Sequence, residues 1–203
     1  MPFNTSTPIS SASLRAHLAQ LISPSNEEWD AFYSKLKTRQ LKKDETYLAE
    51  GDVCRRIGIV TKGGLRMYYN IKGEERCKDF QFEGQFTGSM ASLVSGQPAL
   101  FTIAALEDTD LLEITKEELF HLYEKYKTWE RFGRLYAQMM FIYKEKREAS
   151  LLFDSSTTRY ENLLRDQPQH AHRIPLKYLA SYLGIKPESL SRIRKNIARR
   201  SRT

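Results

Sequence analysis

Residues 176–197, LKYLASYLGIKPESLSRIRKNI, constrain the chain more than any other stretch. Two helices that cross tightly make specific demands, and each is met here without an insertion. Ala180 is small enough to sit mid-helix beneath a crossing partner. Gly184 can take the left-handed conformation that ends a helix. Leu179, Leu183, Ile185, Leu190 and Ile193 can fill the wedge between the helices. Pro187 suits the first turn of the second helix, where a missing N–H costs nothing. Wound at about 100° per residue, the second helix gathers Leu190, Ile193 and Ile197 on one side. Glu188, Arg192, Lys195 and Arg199 fall on the opposite side, with Ser191 at its edge.

Charge follows the same boundary. Residues 157–203 hold 11 lysines and arginines against three acidic residues, whereas the preceding 156 residues hold 21 basic and 22 acidic ones. A polyanion-facing module therefore occupies the last quarter. Read as a helix-turn-helix, its second helix enters a DNA major groove. Arg192 and Glu188 are the expected base readers, since arginine pairs with guanine O6/N7 and a carboxylate accepts from cytosine N4. A carboxylate would be of no use to a helix that only bound phosphate. Ser189 and Ser191 are lesser readers. Lys177, Lys186, Lys195, Arg199, Arg200 and Arg202 are expected mainly on phosphates.

The rest of the chain reads differently. Leu14, Leu18, Leu21 and Ile22, then Trp29, Phe32 and Leu36, mark two short N-terminal helices. Between Gln40 and Ile114, β-branched and aromatic runs alternate with turn signals at the spacing of an antiparallel sandwich or roll. NIKGEE is the clearest hairpin turn, with Gly73 free to take positive φ. Thr115 and Glu118 form a capping box for the helix that follows. From Thr128 to Phe153 runs the longest helical pattern. Its seam of Phe132, Leu135, Met139, Ile142, Lys146, Ala149 and Phe153 steps alternately by three and four, as in a coiled coil. We read this as a dimer seam, widened by Met140, Tyr143, Leu151 and Leu152. Asp154 to Thr158 reads as a hinge.

With these residues in place, the chain resembles the cyclic-AMP receptor and fumarate–nitrate regulator (Crp/Fnr) family of bacterial transcription factors. YLASYLGIKPESLSRIRKNI is similar to that family's DNA-binding signature, EGDVCRRIGIVTKGGLRMYY to the first half of its β-roll, and FEGQFTGSMASLVSGQPALFTIAALEDTDLLEI to the segment holding its phosphate-binding cassette. The resemblance implies an α+β fold: an N-terminal antiparallel β-roll (a double-stranded β-helix like a cyclic-nucleotide-binding domain) with flanking helices, a long dimerisation helix, and an all-α helix-turn-helix domain. The implied boundaries are 1–127 for the sensor roll, 128–155 for the dimerisation helix and hinge, and 156–203 for the DNA-binding domain.

The cassette departs from the family's pattern. Gly-Glu-Leu is replaced by Gly88-Ser89-Met90, and Arg-Ser-Ala by Ala99-Leu100-Phe101. Without that arginine, a buried phosphodiester would lack a counter-charge, at a cost on the order of several kcal/mol. Cyclic AMP is therefore not expected. No cofactor is expected, and the effector is left as an unknown small molecule. Pro187 stands where some family members use an arginine on DNA, so a different base preference is implied. The expected partners are double-stranded DNA, a second copy of the chain and, for an activator, RNA polymerase.

Other classes fit poorly. Cys54 and Cys77 cannot supply the four thiolates of an iron–sulfur cluster. Gln40 to Ile114 contains no histidine, which argues against a metal-dependent barrel enzyme, and no enzyme is expected. His170 and His172 read as solvated loop residues rather than metal ligands. No apolar run is long enough to span a bilayer, and the first residues lack the order of a signal peptide, so a reducing cytoplasm is expected. The competing reading is a ligand-binding roll whose helical tail binds a protein.

Overall fold

Capping chemistry sets the helix starts in the computed structural model, which describes residues 10–200. Ser10 caps α1 (Ser11–Leu18), and Ser25 with Glu28 closes a full capping box on α2 (Asn26–Tyr33). The predicted box of Thr115 and Glu118 is present on α4 (Lys116–Lys125). Each box satisfies two backbone N–H groups that a helix leaves open. Leu14, Leu18, Trp29 and Phe32 are buried on these helices, as their spacing predicted, whereas the helices end before Leu21, Ile22 and Leu36, of which only Ile22 is buried.

Eight strands follow α2: β1 (Lys37–Leu41), β2 (Thr46–Leu48), β3 (Arg56–Lys62), β4 (Gly64–Ile71), β5 (Glu74–Phe82), β6 (Phe86–Thr87), β7 (Thr102–Ala105) and β8 (Thr109–Thr115). They form two four-stranded sheets, ordered β1-β8-β3-β6 and β2-β7-β4-β5. The antiparallel roll expected from the turn spacing is thus what the chain forms, beginning three residues earlier than Gln40. Val60, Leu65, Phe82, Leu93, Ile103 and Leu111 are sealed from solvent in its core. The β4–β5 turn has positive φ at both Lys72 (55°) and Gly73 (86°), which suits the right-handed twist of a two-residue hairpin. Asn70 Oδ1 accepts from the Gly73 N–H at 3.0 Å.

The short α3 (Met90–Ser95) lies between β6 and β7. After α4 comes the long α5 (Lys127–Phe153), about 40 Å from end to end at helical rise. Then follow α6 (Ser156–Asp166), α7 (Pro168–Ala171), α8 (Leu176–Tyr182) and α9 (Pro187–Arg200). Ser155 caps α6 by accepting from the Thr158 N–H, so the predicted hinge carries its own helix start.

The chain packs as two compact units. One comprises the residues up to Met67 together with Phe80–Phe141; the other comprises Tyr68–Asp79 and the residues from Ile142 onward. Packing therefore does not follow the boundaries at 127 and 155. The tip of the β4–β5 hairpin belongs with the C-terminal helices, and the second half of α5 does too.

Within the first unit, an aromatic cluster holds the start of α5. The Trp129 indole N–H donates to the Glu28 carbonyl at 3.0 Å, and its ring lies 4.3 Å from Phe32. Phe132 packs against Phe86 at 5.5 Å and Tyr136 at 5.9 Å. At 5% exposure Phe132 is spent inside its own unit, which corrects its assignment to the dimer seam. Helical periodicity places Phe132 on one line with Leu135 and Met139 but does not say where along that line the core ends.

Candidate nucleic-acid interface

Residues 183–186 join α8 to α9. Gly184 sits at φ 70°, the conformation predicted for it. Its N–H donates to the Ser181 carbonyl at 3.0 Å, and the Ile185 N–H to the Ala180 carbonyl at 3.0 Å, so carbonyls at the end of α8 are satisfied. Leu179, Ala180, Leu183 and Leu190 are fully or almost fully buried, while Ile185 and Ile193 are half-buried. The wedge read from the sequence is the wedge that packs. Pro187 is the first residue of α9.

Two arginines that the sequence did not single out tie this region together. Arg194 Nε donates to the Tyr160 hydroxyl at 3.0 Å, binding α9 to α6. Arg159 Nε donates to the Leu183 carbonyl at 3.1 Å and Nη1 to the Asp154 carbonyl at 2.6 Å, binding the inter-helix turn to the hinge. Their signal was available only in retrospect: Arg194 lies between the buried and exposed faces of α9, and Arg159 lies in the first turn of α6, just after the hinge.

The opposite face of α9 is turned to solvent. Glu188, Arg192, Lys195, Arg199 and Arg200 are exposed, as are Lys177 and Lys186; Ser189 and Ser191 are half-buried. Lys177 Nζ lies 4.5 Å over the Tyr178 ring. Arg202 lies outside the described residues. The helix thus offers one carboxylate among several cations on a surface backed by the buried Leu190. Such a surface can donate to guanine edges and phosphates while accepting from an amino group.

The hairpin tip clasps α8. The Cys77 N–H donates to Ser181 Oγ at 2.9 Å, and that hydroxyl reaches the Glu75 carbonyl at 3.4 Å. The Tyr143 hydroxyl, from α5, donates to Asp79 at 3.0 Å and lies 3.5 Å from the Tyr182 hydroxyl. Burial first, and the Asp79 charge second, push both phenols above their ordinary range, so both stay protonated at neutral pH. Arg147 Nη2 donates to the Tyr182 carbonyl at 2.6 Å, with its guanidinium carbon 3.6 Å over the Tyr182 ring. Nothing in the local pattern marks this clasp, because the hairpin tip and α8 lie more than 100 residues apart.

His170 is 1% exposed, which corrects its reading as a solvated loop residue; it belongs to the short α7 and packs inward, whereas His172 is exposed. No group of three or more His, Cys, Asp or Glu side chains able to hold a metal occurs among the described residues. Cys54 and Cys77 are both free and buried.

Beyond Phe132, the seam of α5 is largely open. Met139, Ile142 and Phe153 are exposed, Lys146 is exposed, and Leu135 and Ala149 are half-buried. Phe141 and Leu152, at 69% and 72% exposure, widen the apolar stripe; Phe141 was missed because it lies off the three–four stepping.

The cassette positions divide. Ser89, Ala99 and Phe101 are buried and Gly88 is half-buried, but Met90 and Leu100 point to solvent at 42% and 74% exposure. The cassette's hydroxyls are used on its own backbone. Ser89 Oγ accepts from the Ser92 N–H as the cap of α3, and Ser92 Oγ accepts from the Cys54 N–H and donates to the Gln97 carbonyl. Ala99 brings only its backbone, bonded to Gly51 and Asp52. These residues do not fit a cyclic phosphate, which needs a cation and free donors.

Residues 38–126 match the family described as cyclic nucleotide-binding domain. No curated protein sequence matches the chain. Solved structures that resemble it include FixK2 from Bradyrhizobium japonicum, 18% identical with a TM-score of 0.71 over 82% of this chain and 86% of that one. The c-di-GMP responsive global regulator CLP of Xanthomonas campestris is 18% identical with a TM-score of 0.65, over 87% and 93%. The catabolite activator protein of Thermus thermophilus is 22% identical with a TM-score of 0.55, over 87% and 85%. At these identities the likeness is one of fold. No helix among the described residues is long and apolar enough to cross a membrane.

Proposed function

We propose that the chain is a sequence-specific DNA-binding transcriptional regulator of the Crp/Fnr type that acts as a homodimer on an inverted repeat. The observation that carries this reading is α9: Leu190 is fully buried while Glu188, Arg192 and Lys195 stand bare on the opposite face. The apolar stripe of α5 beyond Phe132 pairs two copies. Their recognition helices then enter successive major grooves about 34 Å apart. The roll up to residue 127 is the sensor, 128–155 the dimerisation helix and hinge, and 156–203 the DNA-binding domain. Cyclic AMP is not its effector, because Ser89 and Ala99 leave the cassette without a carboxylate or a cation. RNA polymerase is the further partner if the protein activates.

Selection from randomised duplex DNA tests this reading, with an enriched two-fold motif as the expected result. Arg192→Ala then relaxes base choice at one position of each half-site and costs about 1–3 kcal/mol, whereas Arg200→Ala weakens all sequences alike. No enriched motif would favour a tail that binds protein, and identical effects of the two substitutions would refute the division of roles. Titration with cyclic AMP is expected to give no heat and no change in DNA affinity.

A further inference from the structure

A cavity of about 470 Å³ opens in the first unit between β1, β8, the start of β3 and the segment running from β2 into β3. None of the cassette positions lines it. Its size falls within the range of about 300–1,000 Å³ typical of small-molecule sites. Its wall carries Arg39, Arg55 and Arg56 against Asp52 and Glu113, leaving one positive charge in excess.

The five charges are not equivalent. Arg39 and Glu113 answer each other: Arg39 Nη1 lies 3.4 Å from Glu113 Oε1, and the guanidinium sits 5.1 Å over the Tyr47 ring. Glu113 is buried, and register sets it opposite Lys37 on one side and Gly58 on the other. Arg55 and Arg56 are exposed at the cavity mouth, and their side chains pair with no described residue. The Tyr47 hydroxyl is buried beside the Glu113 carboxylate and makes no hydrogen bond of ordinary geometry. Burial, and after it the Glu113 carboxylate, push that phenol well above its ordinary range, so it remains an O–H donor at neutral pH. Buried polar groups are nearly always bonded, and a phenol without a well-formed bond can turn to a better acceptor.

We infer that this cavity binds a small molecule carrying a carboxylate or phosphate group, held by Arg55 and Arg56 at the mouth and by the Tyr47 hydroxyl within. Guanidinium forks match such oxyanions with paired hydrogen bonds. The Arg39–Glu113 pair stiffens the wall and holds the phenol ring in place. On the function proposed above, this cavity, which adjoins the cassette through Gly51 and Asp52, takes the effector in the cassette's place.

Calorimetric titration of the full chain with citrate and with inorganic phosphate, at matched ionic strength in chloride, tests the inference. At least one probe is expected to bind at one site per chain with a submillimolar Kd; which one binds tells carboxylate from phosphate. Arg55→Ala/Arg56→Ala together weaken that binding tenfold or more. Tyr47→Phe, which keeps the ring, weakens it several-fold. Lys195→Ala/Arg199→Ala on α9 leaves it unchanged. Tryptophan fluorescence of each variant checks that the roll is folded, since both tryptophans belong to that unit. Absence of binding by both probes, or binding that is lost with the α9 substitutions and kept without Arg55 and Arg56, would overturn the assignment.

Discussion

Replacing Gly184 by alanine isolates one term in the stability of the C-terminal helices. Gly184 lies at φ 70°, where an L-residue brings its Cβ too near a carbonyl oxygen. The surroundings do not object: a Cβ at this position would meet nothing nearer than Arg159 Nη2 and Leu151 Cδ2, each at 4.0 Å. No steric penalty adds to the torsional one, so Gly184→Ala is expected to cost about 1–2 kcal/mol. Asparagine tolerates this conformation better, and Gly184→Asn should cost less than alanine does. Gly63 provides the contrast. It also has positive φ, at 89°, but its Cβ would come within 2.5 Å of the Asp108 carbonyl oxygen and 2.8 Å of Thr109 Cα. Backbone collision adds to strain there, and the expected loss exceeds about 3 kcal/mol. Urea titrations read the two sites separately. Trp29 and Trp129 both lie in the roll unit, so their fluorescence follows Gly63→Ala, while circular dichroism at 222 nm follows the C-terminal helices. A Gly184→Ala loss under about 0.5 or above about 3 kcal/mol would refute the reasoning, since neither fits an unhindered left-handed alanine.

Phe132→Ala is expected to cost about 3–5 kcal/mol in the roll without changing assembly, whereas Ile142→Asp with Phe153→Asp should yield monomers by light scattering at unchanged roll stability. Arg147→Ala removes both a charged hydrogen bond to the Tyr182 carbonyl and the stacking on its ring, so a loss of about 2–4 kcal/mol is expected in the circular-dichroism transition. Arg147→Lys should recover only part, because an ammonium cannot do both. Burial holds the His17 imidazole down to about 4, so between that value and its unfolded pKa the unfolded chain binds the extra proton. The contribution of His17 is therefore intact above pH ~6.5 and lost as pH falls toward 4; His17→Gln should flatten that part of the stability–pH curve measured by urea unfolding.

What could be read ahead of the structure was local. The Thr115–Glu118 capping box, the positive φ of Gly73 and Gly184, and the wedge of Leu179, Leu183 and Leu190 each depend on residues within a turn or two of one another. The chemistry of a cap or a left-handed residue travels with its neighbours, so pattern suffices. Phe132 shows where pattern stops: it shares a helical line with Met139 and Phe153 yet is buried against Phe86 of β6, which no spacing within α5 reveals. His170 went inward for the same reason. The clasp of Ser181 by Glu75 and Cys77, and the pairing of Arg39 with Glu113, join residues that only the sheet register and the packing of the helical unit bring together. The solvent-turned face of α9 was legible because amphipathic winding alone determines it.

The burial of Phe132 also separates two properties that a continuous seam would have fused. Because the first turns of α5 are occupied by Trp129 and Phe132 in the roll's own core, the exposed part of the apolar stripe starts only near Leu135. If two copies pair as proposed, substitutions at Ile142, Leu152 and Phe153 change how tightly they hold each other without touching the core that folds each one.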